Sequence, residues 1–243
     1  MRMYEIVIEG TLSASNIASW EGPMGEYSGY LAPKGGVASP VFNVSALTFR
    51  NEPILPVVAA GEPIEENHTC WGLTVSAQIL WELRRADFPV TMCFIPFQSV
   101  AHWLVVTVNC AACTSGDSTK LVEELGRLLS QSRAGSFIPK VILASDDLDP
   151  TNLDELVWFF ATRNHPEHGQ HLLRGEKMLP LVAFLTEAER KAARGTKVIY
   201  NCLPPAECAP DLLPKRSSFR FAWPKEIQER VLKNWERYGF PKC

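Results

Sequence analysis

The pattern of apolar and polar positions predicts strands that alternate with helices along most of the chain. Short alternating or wholly apolar runs are typical of strands, whereas apolar residues that recur every three to four positions indicate helices. This succession favours an α/β layer with a substantially parallel sheet. Strands are predicted over residues 4–10, 42–49, 88–95, 102–108 and 140–144, and helices over 69–85, 121–129 and the segment that follows a cap at Thr151 or Asn152.

The helices differ in character. In the helix predicted over 69–85, the apolar positions that share one face are Leu73, Ala77, Leu80 and Trp81. Residues 186–191 predict a short charged helix. Residues 203–214 are rich in proline, which indicates an extended segment, and a final helix is expected to begin at Trp223–Pro224 and to end near Gly239. An amphipathic helix at the end of such a tether often docks on another domain or subunit.

Composition and charge narrow the class of protein. The chain has 243 residues, 46% of them hydrophobic, and a formal net charge of -3. The slightly negative net charge therefore gives no indication that the partner is a nucleic acid or an anionic membrane. No apolar run in the sequence approaches the roughly 20 residues that span a bilayer. The seven cysteines are an odd, scattered set, which argues against a disulfide framework and favours a reducing compartment, most simply the cytosol.

The segment from Trp20 to Tyr27 carries the strongest candidate chemistry. It places Glu21 and Glu26 on either side of a Gly-Pro-x-Gly turn, shortly after a strand. A rigid turn can direct two carboxylates at one small volume, where one stays ionised and the other donates a proton. On spacing alone, however, solvated turn acids are favoured over a catalytic pair.

The histidines suggest metal sites only weakly. His68 and His102 have no partner at metal-binding spacing, so each is interpreted as a core or surface histidine. A closer group, formed by His165, His168 and His171, follows a predicted helix. A zinc site is one interpretation of this group, and solvated loop histidines are the favoured one.

Two further groups also have a simpler interpretation. Cys110 and Cys113 have the C-x-x-C spacing but no second pair nearby, whereas structural zinc usually needs four ligands. Incidental cysteines are therefore favoured. Asp146, Asp147 and Asp149 follow a strand and precede a helix, where carboxylates could hold a cation but are favoured as caps.

Several segments together resemble the C-terminal half of a UbiD-family decarboxylase, and within that family the fungal ferulic and cinnamic acid branch. The resemblance covers essentially the whole chain, although Phe49 stands where relatives usually carry tyrosine. The matching segments are Glu5–Leu12 followed by Glu21–Glu26, Thr48–Pro56, Pro96-Phe97 before Trp103, Asp146–Asp149 before Val157-Trp158 and Ala161–Arg163, and Val231–Trp235 with Gly239-Phe240.

This resemblance implies the non-oxidative decarboxylation of an α,β-unsaturated or aromatic acid, with prenylated FMN, Mn²⁺ and K⁺ as cofactors. It assigns Glu26 as the proton donor and Glu21 as the partner acid that orients an arginine. That arginine and the metal ligands lie upstream in the family and have no candidate here. The alternative is a non-catalytic oligomerisation or scaffold module derived from such an enzyme.

The resemblance also places residues around the cofactor and the substrate. Arg133 stands where relatives have a lysine near the cofactor phosphate, and the two side chains differ in geometry. Trp71 is bulkier than the usual aliphatic residue, and a glycine-rich stretch of relatives is replaced by the charged segment 186–191. The residues that the resemblance assigns to the substrate pocket are Tyr27, Asn67, Trp71, Leu179 and Leu181.

The predicted organisation follows from the same resemblance. Residues 1–52 would be remnant strands of a split-barrel domain that binds prenylated FMN. Residues 53–202 would form an α/β C-terminal domain through which relatives dimerise, and residues 203–243 an extended tail with a terminal helix. Met1 falls at the start of a predicted strand, so a missing upstream portion is expected, with little activity of the chain alone.

Overall fold

The computed structural model describes residues 4–12, 17–31, 36–109, 118–205 and 214–241. It divides into two units, of which the first ends at Leu203 and the second begins at Pro204. The first unit opens with the strands β1 (Ile6–Leu12), β2 (Ala18–Glu21), β3 (Val37–Pro40) and β4 (Phe42–Phe49). It continues through α1 (Glu66–Arg85), β5 (Val90–Phe94), β6 (Trp103–Val108), α2 (Ser118–Gln131), β7 (Lys140–Ser145), α3 (Leu153–Arg163), β8 (Gln170–Lys177), α4 (Glu187–Ala192) and β9 (Arg194–Asn201).

A five-stranded sheet with the order β5-β6-β7-β9-β8 forms the centre of this unit. The three inner strands run parallel, whereas β5 and β8 pair antiparallel at the two edges. The α/β class is therefore confirmed, and the parallel arrangement holds for the inner strands. Residues 104–108 and 141–145 are buried without interruption, as expected for strands covered on both faces.

Helices cover the two faces of the sheet. Leu104 and Val106 join one buried cluster with residues of α1 and α2, whereas Val105 joins a second cluster with Leu156 and Phe159 of α3. Successive strand residues point to opposite faces, so these clusters lie on opposite sides of the sheet. The core of the unit therefore consists of three layers.

The first four strands form two small separate sheets. β1 pairs antiparallel with β4, and β2 pairs antiparallel with β3. The predicted strand over 42–49 is confirmed with the same bounds. Apolar side chains of this region are largely exposed, with 56% exposure for Ile8 and Leu47 and 64% for Phe49.

The apolar stripe predicted on α1 is not the buried face of that helix. Leu73 and Trp81 are more than half exposed. The helix instead approaches the end of β5 closely: a Cβ on Gly72 would lie 2.6 Å from the Phe97 ring. This close approach requires a glycine at residue 72. The other buried positions of α1 are His68 and Ser76, which are polar, and Ile79 and Leu83, which belong to the apolar core.

Local signals set the ends of the shorter helices. Asn152 accepts a 3.1 Å hydrogen bond from the Glu155 N–H and caps α3, which confirms one of the two predicted caps. Thr186 and Glu189 form a capping box on α4, and this confirms the charged helix.

Strands β8 and β9 were not predicted from the sequence. β8 is an edge strand whose register against β9 shifts between Leu173 and Glu176. Near this irregularity it carries Arg174, Glu176 and Lys177.

The second unit contains α5 (Phe219–Ala222) and α6 (Lys225–Lys233). Pro224 precedes α6 directly, and Gly239 adopts a left-handed conformation with φ 87°. The predicted final helix and its start are therefore confirmed, but the helix ends at Lys233, and a separate 3-10 turn (Glu236–Tyr238) precedes Gly239. Residues 206–213 of the predicted extended segment lie outside the described residues. Nowhere in the described ranges is a helix both long enough and apolar enough to cross a membrane.

Candidate functional site

Glu21 and Glu26 lie at the two ends of a glycine-containing turn. Glu21 is the last residue of β2, and its Oε2 accepts a 2.6 Å hydrogen bond from the Ser39 hydroxyl on β3. A Cβ on Gly25 would lie 2.2 Å from the Ala60 carbonyl oxygen. The backbone therefore passes this point only because residue 25 is glycine.

Glu26 begins a second turn that its own backbone closes. The Glu26 N–H donates to the Tyr30 carbonyl at 2.9 Å, and the Gly29 N–H donates to the Glu26 carbonyl at 2.9 Å. Glu26 is half-buried and Tyr27 is buried. The turn thus directs the chain inward immediately after the carboxylate.

Tyr27 packs between two aromatic rings from later in the chain. Its ring centroid lies 5.3 Å from Trp71 on α1 and 5.9 Å from His102 before β6. Burial and, to a smaller extent, the negative charge of Glu26 together raise the pKa of the Tyr27 hydroxyl to about 12. The phenol therefore stays protonated at neutral pH and can donate a hydrogen bond.

Beside Tyr27 lies a cavity of about 560 Å³. Its wall is mostly apolar and aromatic, and Arg133 supplies a positive charge. This combination of an apolar wall and a few polar groups is typical of small-molecule sites. The lining residues are Tyr27, Trp71, Val75, Gln78, Glu82, Ile95, Ala101, Arg133, Ala134, Phe137, Ile138 and Leu179.

One face of α1 supplies four of these residues: Trp71, Val75, Gln78 and Glu82. Their spacing of four, three and four residues places them on a single helix face. The Gln78 amide donates to Glu82 Oε1 at 2.7 Å. The polar pair was not predicted, although its spacing from Trp71 could have revealed it.

Comparison with known proteins shows which family this arrangement belongs to. The family model described as the 3-octaprenyl-4-hydroxybenzoate carboxy-lyase C-terminal domain matches residues 68–202. The model of the Rift-related domain of the same carboxy-lyase matches residues 2–63. The chain belongs to the UbiD family. The predicted family is therefore confirmed.

Two curated relatives in the UbiD family illustrate the similarity. The pyrrole-2-carboxylic acid decarboxylase of Pseudomonas aeruginosa is 38% identical over 97% of this chain and 48% of the relative. Ferulic acid decarboxylase 1 of Saccharomyces cerevisiae is 29% identical over 97% of this chain and 47% of the relative. The chain thus spans about half the length of these proteins, and it shares more residues with the bacterial one.

Solved structures of UbiD-class enzymes share the fold. The closed form of Sedimentibacter hydroxybenzoicus vanillic acid decarboxylase matches with a TM-score of 0.72 and 21% identity, over 96% of this chain and 46% of that one. HmfF from Pelotomaculum thermopropionicum in complex with FMN matches with a TM-score of 0.69 and 19% identity, over 88% and 44%.

The residues assigned through the UbiD resemblance are partly brought together. Tyr27, Trp71, Arg133 and Leu179 line the same cavity. The other four lie elsewhere: Glu21 and Glu26 flank the turn, Asn67 is half-buried in the first turn of α1, and Leu181 is half-buried after β8. The roles of all eight residues remain predictions.

A second cavity of about 520 Å³ includes His102, Lys140 and Phe184 in its wall. His102 Nδ1 lies 2.8 Å from the Val100 carbonyl oxygen, so Nδ1 carries the proton of the neutral ring. Burial lowers the pKa of His102, the Lys140 charge lowers it further, and hydrogen bonds to backbone groups oppose the shift. His102 is therefore a half-buried histidine that packs against Tyr27.

Two further histidines belong to the turn before β8. The rings of His165 and His168 stack at 4.7 Å, and His165 Nδ1 accepts the N–H groups of residues 167 and 168. Both are exposed, as the solvated-loop hypothesis expects. The loop interpretation was wrong for His171, which lies in β8 and is half-buried. Across the described residues, no group of three or more His, Cys, Asp or Glu side chains is arranged to hold a metal ion.

The acidic loop after β7 has two structural roles. Asp149 accepts hydrogen bonds from the backbone and side chain of Thr151, which precedes α3, whereas the cap of that helix is Asn152 and not this carboxylate. Asp147 instead pairs with Arg163 at 2.7 Å, so the capping prediction was wrong for this residue too. Cys110 and Cys113 lie outside the described residues.

Proposed function

We propose that this chain carries the proton-donating acid and one wall of the substrate cavity of a UbiD-type carboxy-lyase. The reaction would be the non-oxidative decarboxylation of an α,β-unsaturated or aromatic acid. One observation supports this proposal most directly: Tyr27, which directly follows Glu26, lines the same cavity as Trp71, Arg133 and Leu179. The candidate acid is thus adjacent in sequence to a cavity-lining residue.

Glu26 and Glu21 would have different tasks. Glu26 would protonate the carbon from which carbon dioxide has left, and would then recover its proton from solvent. Glu21 would stay ionised and orient an arginine that this chain does not supply. Its Oε2 accepts a hydrogen bond from Ser39 Oγ, which restricts the direction of the carboxylate.

We propose prenylated FMN as the cofactor. FMN and prFMN are the ligands named for the HmfF structures. The cavity of about 560 Å³ lies within the range of roughly 300–1,000 Å³ typical of small-molecule sites, and Arg133 could pair with a phosphate. When bound, the flavin would supply the electron sink for the departure of carbon dioxide.

Mn²⁺ and K⁺ belong to the same proposal. Their ligands would come from outside the residues that the structure describes, because no suitable acidic, histidine or cysteine cluster is found within these residues.

The activity is proposed for an assembly larger than this chain. The exposed apolar side chains of β1 and β4, such as Ile8 and Phe49, need a further layer to exclude water. We propose that this layer is the remaining part of a UbiD flavin domain, in the same polypeptide or in a separate one. We also propose a homodimer that forms through residues 53–202.

The cavity wall favours a flat aromatic or heteroaromatic acid. Tyr27 and Trp71 stand side by side with ring centroids 5.3 Å apart, and aromatic walls of this kind bind planar rings well. The names of the two curated relatives supply two test substrates, pyrrole-2-carboxylate and ferulate.

We propose a cytosolic location, because free thiols persist in a reducing compartment. Cys70, Cys93 and Cys202 are free cysteines. Burial raises the pKa of the Cys93 and Cys202 thiols to about 12, which keeps them protonated and unreactive.

The test is complementation. We would co-express this chain with the N-terminal half of the Pseudomonas aeruginosa relative, add prenylated FMN, Mn²⁺ and K⁺, and measure flavin absorbance and carbon dioxide release from both acids. We expect flavin binding and decarboxylation of at least one acid. If the complemented sample binds no flavin under any condition, the scaffold alternative replaces the enzyme hypothesis.

The control for the chemical role is Glu26→Gln, which keeps the size of the side chain and removes the acid. Decarboxylation should fall by roughly 10²–10⁴-fold, while flavin absorbance stays unchanged. Equal rates for the two proteins would exclude Glu26 as the proton donor.

A further inference from the structure

His68 connects α1 to the turn that carries Glu26. Its ring is buried, with 1% of the residue exposed. His68 Nδ1 accepts the Glu65 backbone N–H at 3.0 Å, and His68 Nε2 lies 2.6 Å from the Tyr27 carbonyl oxygen. Since a carbonyl only accepts and a backbone N–H only donates, the ring is neutral and carries its proton on Nε2.

The carboxylate of Glu65 supports this protonation state. Glu65 Oε2 accepts the Asn67 N–H at 2.9 Å, and Glu65 Oε1 lies 3.2 Å from His68 Nε2. Within the described residues, Oε1 is buried and accepts no hydrogen bond. Its negative charge favours a proton on the nearby nitrogen, while the Nε2–H itself is directed to Tyr27.

The carbonyl that His68 binds belongs to Tyr27. The ring of Tyr27 lines the cavity of about 560 Å³, and the residue before Tyr27 is Glu26. A hydrogen bond from a rigid, buried ring therefore restricts both the tyrosine ring and the preceding residue.

We propose that His68 is a positioning residue, which fixes the Glu26–Tyr27 backbone against α1 and so sets the position of the acid beside the cavity. The part of this inference that concerns catalysis rests on the proposed function. The hydrogen bond that carries it is independent of any reaction.

The competing interpretation is that His68 serves only to cap α1, through the bond from Glu65 to Nδ1. Because the two bonds use different ring nitrogens, two substitutions separate them. His68→Asn can keep an acceptor near the Nδ1 position but has no donor that reaches Tyr27. His68→Gln places an amide N–H at about the reach of Nε2.

The first readout needs neither cofactor nor substrate. Amide hydrogen exchange of the peptide 22–31 would be followed in the full chain by mass spectrometry. We expect exchange about tenfold faster in His68→Asn, as the loss of one buried hydrogen bond implies, and near wild-type exchange in His68→Gln. Unchanged exchange in His68→Asn, or equal exchange in both variants, would leave only the capping role.

The second readout uses the unaltered chain, so it does not depend on whether a variant folds. Nitrogen-15 spectra of the imidazole distinguish the two tautomers of His68. We expect the proton on Nε2 and a coupling across the hydrogen bond to the Tyr27 carbonyl carbon. A proton on Nδ1 would contradict the proposal.

The third readout is the complemented enzyme. His68→Asn should lower kcat about tenfold with KM within about twofold, because misplacing an acid affects the chemical step more than binding. His68→Gln should restore most of kcat. If the wild-type assembly shows no decarboxylation, the proposed function fails, whereas the exchange and tautomer measurements still decide the role of His68. If the wild type is active and His68→Asn is equally active, the positioning role is excluded.

Discussion

Two regions of this chain have similar apolar composition and opposite burial. In the five-stranded sheet, apolar side chains meet helices on both faces, and Phe159 of α3 has 0% exposure. In the two small sheets before residue 50, Phe49 of β4 has 64% exposure. The difference lies in the number of layers, because a two-stranded sheet cannot bury either of its faces alone. Hydrophobic strands therefore form a core only where other elements cover them.

This difference in burial predicts that the two regions contribute unequally to the free energy of unfolding. The five-stranded sheet should account for most of the free energy of unfolding, since that free energy follows apolar area removed from water. Residues 4–49 should contribute little until another surface covers them. Matched substitutions in the two regions measure this directly.

The largest difference in the free energy of unfolding is expected between alanine substitutions at two phenylalanines. Phe159→Ala should lower the free energy of unfolding by about 3–5 kcal/mol, because it opens a cavity in a closed core. Phe49→Ala, its matched control, should change it by no more than about 0.5 kcal/mol. Urea unfolding followed by circular dichroism measures both. Similar losses would mean that β4 is covered in solution and that the contrast is wrong.

An intermediate effect on the free energy of unfolding is expected at Lys197, a buried lysine in the five-stranded sheet. Lys197 of β9 has 4% exposure, and its ammonium donates to the Ser136 carbonyl. Burial lowers the pKa of Lys197 from 10.5 to about 8, and the Glu176 carboxylate opposes this shift. Between these two values the unfolded chain binds more protons than the folded chain, so the lysine makes stability rise with pH.

The comparison is with Lys197→Met, which cannot titrate. As pH rises from below 8 to 10.5, the wild type should gain up to roughly 3 kcal/mol relative to this variant. Lys191→Met, at an exposed lysine paired with Glu187, should show no such gain. Chemical unfolding at several pH values provides the measurement. Parallel pH curves for wild type and Lys197→Met would show that the Lys197 ammonium is hydrated.

The smallest effect is expected at the contact between α1 and the end of β5. Gly72→Ala would place a Cβ 2.6 Å from the Phe97 ring and 3.2 Å from the Ile95 carbonyl oxygen. The loss should be about 1–2 kcal/mol, since the better helix propensity of alanine offsets part of the overpacking. Gly61→Ala adds a Cβ with no atom within 4 Å and should be near neutral. Thermal unfolding is sufficient here, and a Gly72→Ala variant as stable as the wild type would show that the helix can shift.

Much of the fold could be predicted because local pattern and burial agree in it. The clearest examples are β6 and β7, which are apolar runs and are almost wholly buried. The strand over 42–49 also has its predicted bounds, although its apolar side chains are exposed. The pattern of apolar positions did not predict β8, because its many polar residues suit an exposed edge strand and give no clear apolar alternation. The pattern also failed at α1, where the buried face combines the apolar Ile79 and Leu83 with Gly72, which the close approach of Phe97 requires to be small.

The candidate site could be predicted only through the family resemblance. Spacing alone favoured solvated acids at Glu21 and Glu26, and nothing local connects Trp71 with Arg133, which face one cavity from distant segments. The role of His68 was missed because its partner, the Tyr27 carbonyl, is 41 residues away. Only the folded backbone brings such a pair together.

The irregular, charged edge of β8 has a consequence for how this chain behaves at high concentration. A register shift and three charged side chains hinder the addition of another strand at that edge. The β1–β4 pair also has a register shift, between Glu9 and Gly10, but it exposes large apolar side chains such as Ile8, Leu47 and Phe49. Aggregation of the chain should therefore begin at these strands and leave the β8 edge free, so solubility during purification depends on how quickly they are covered.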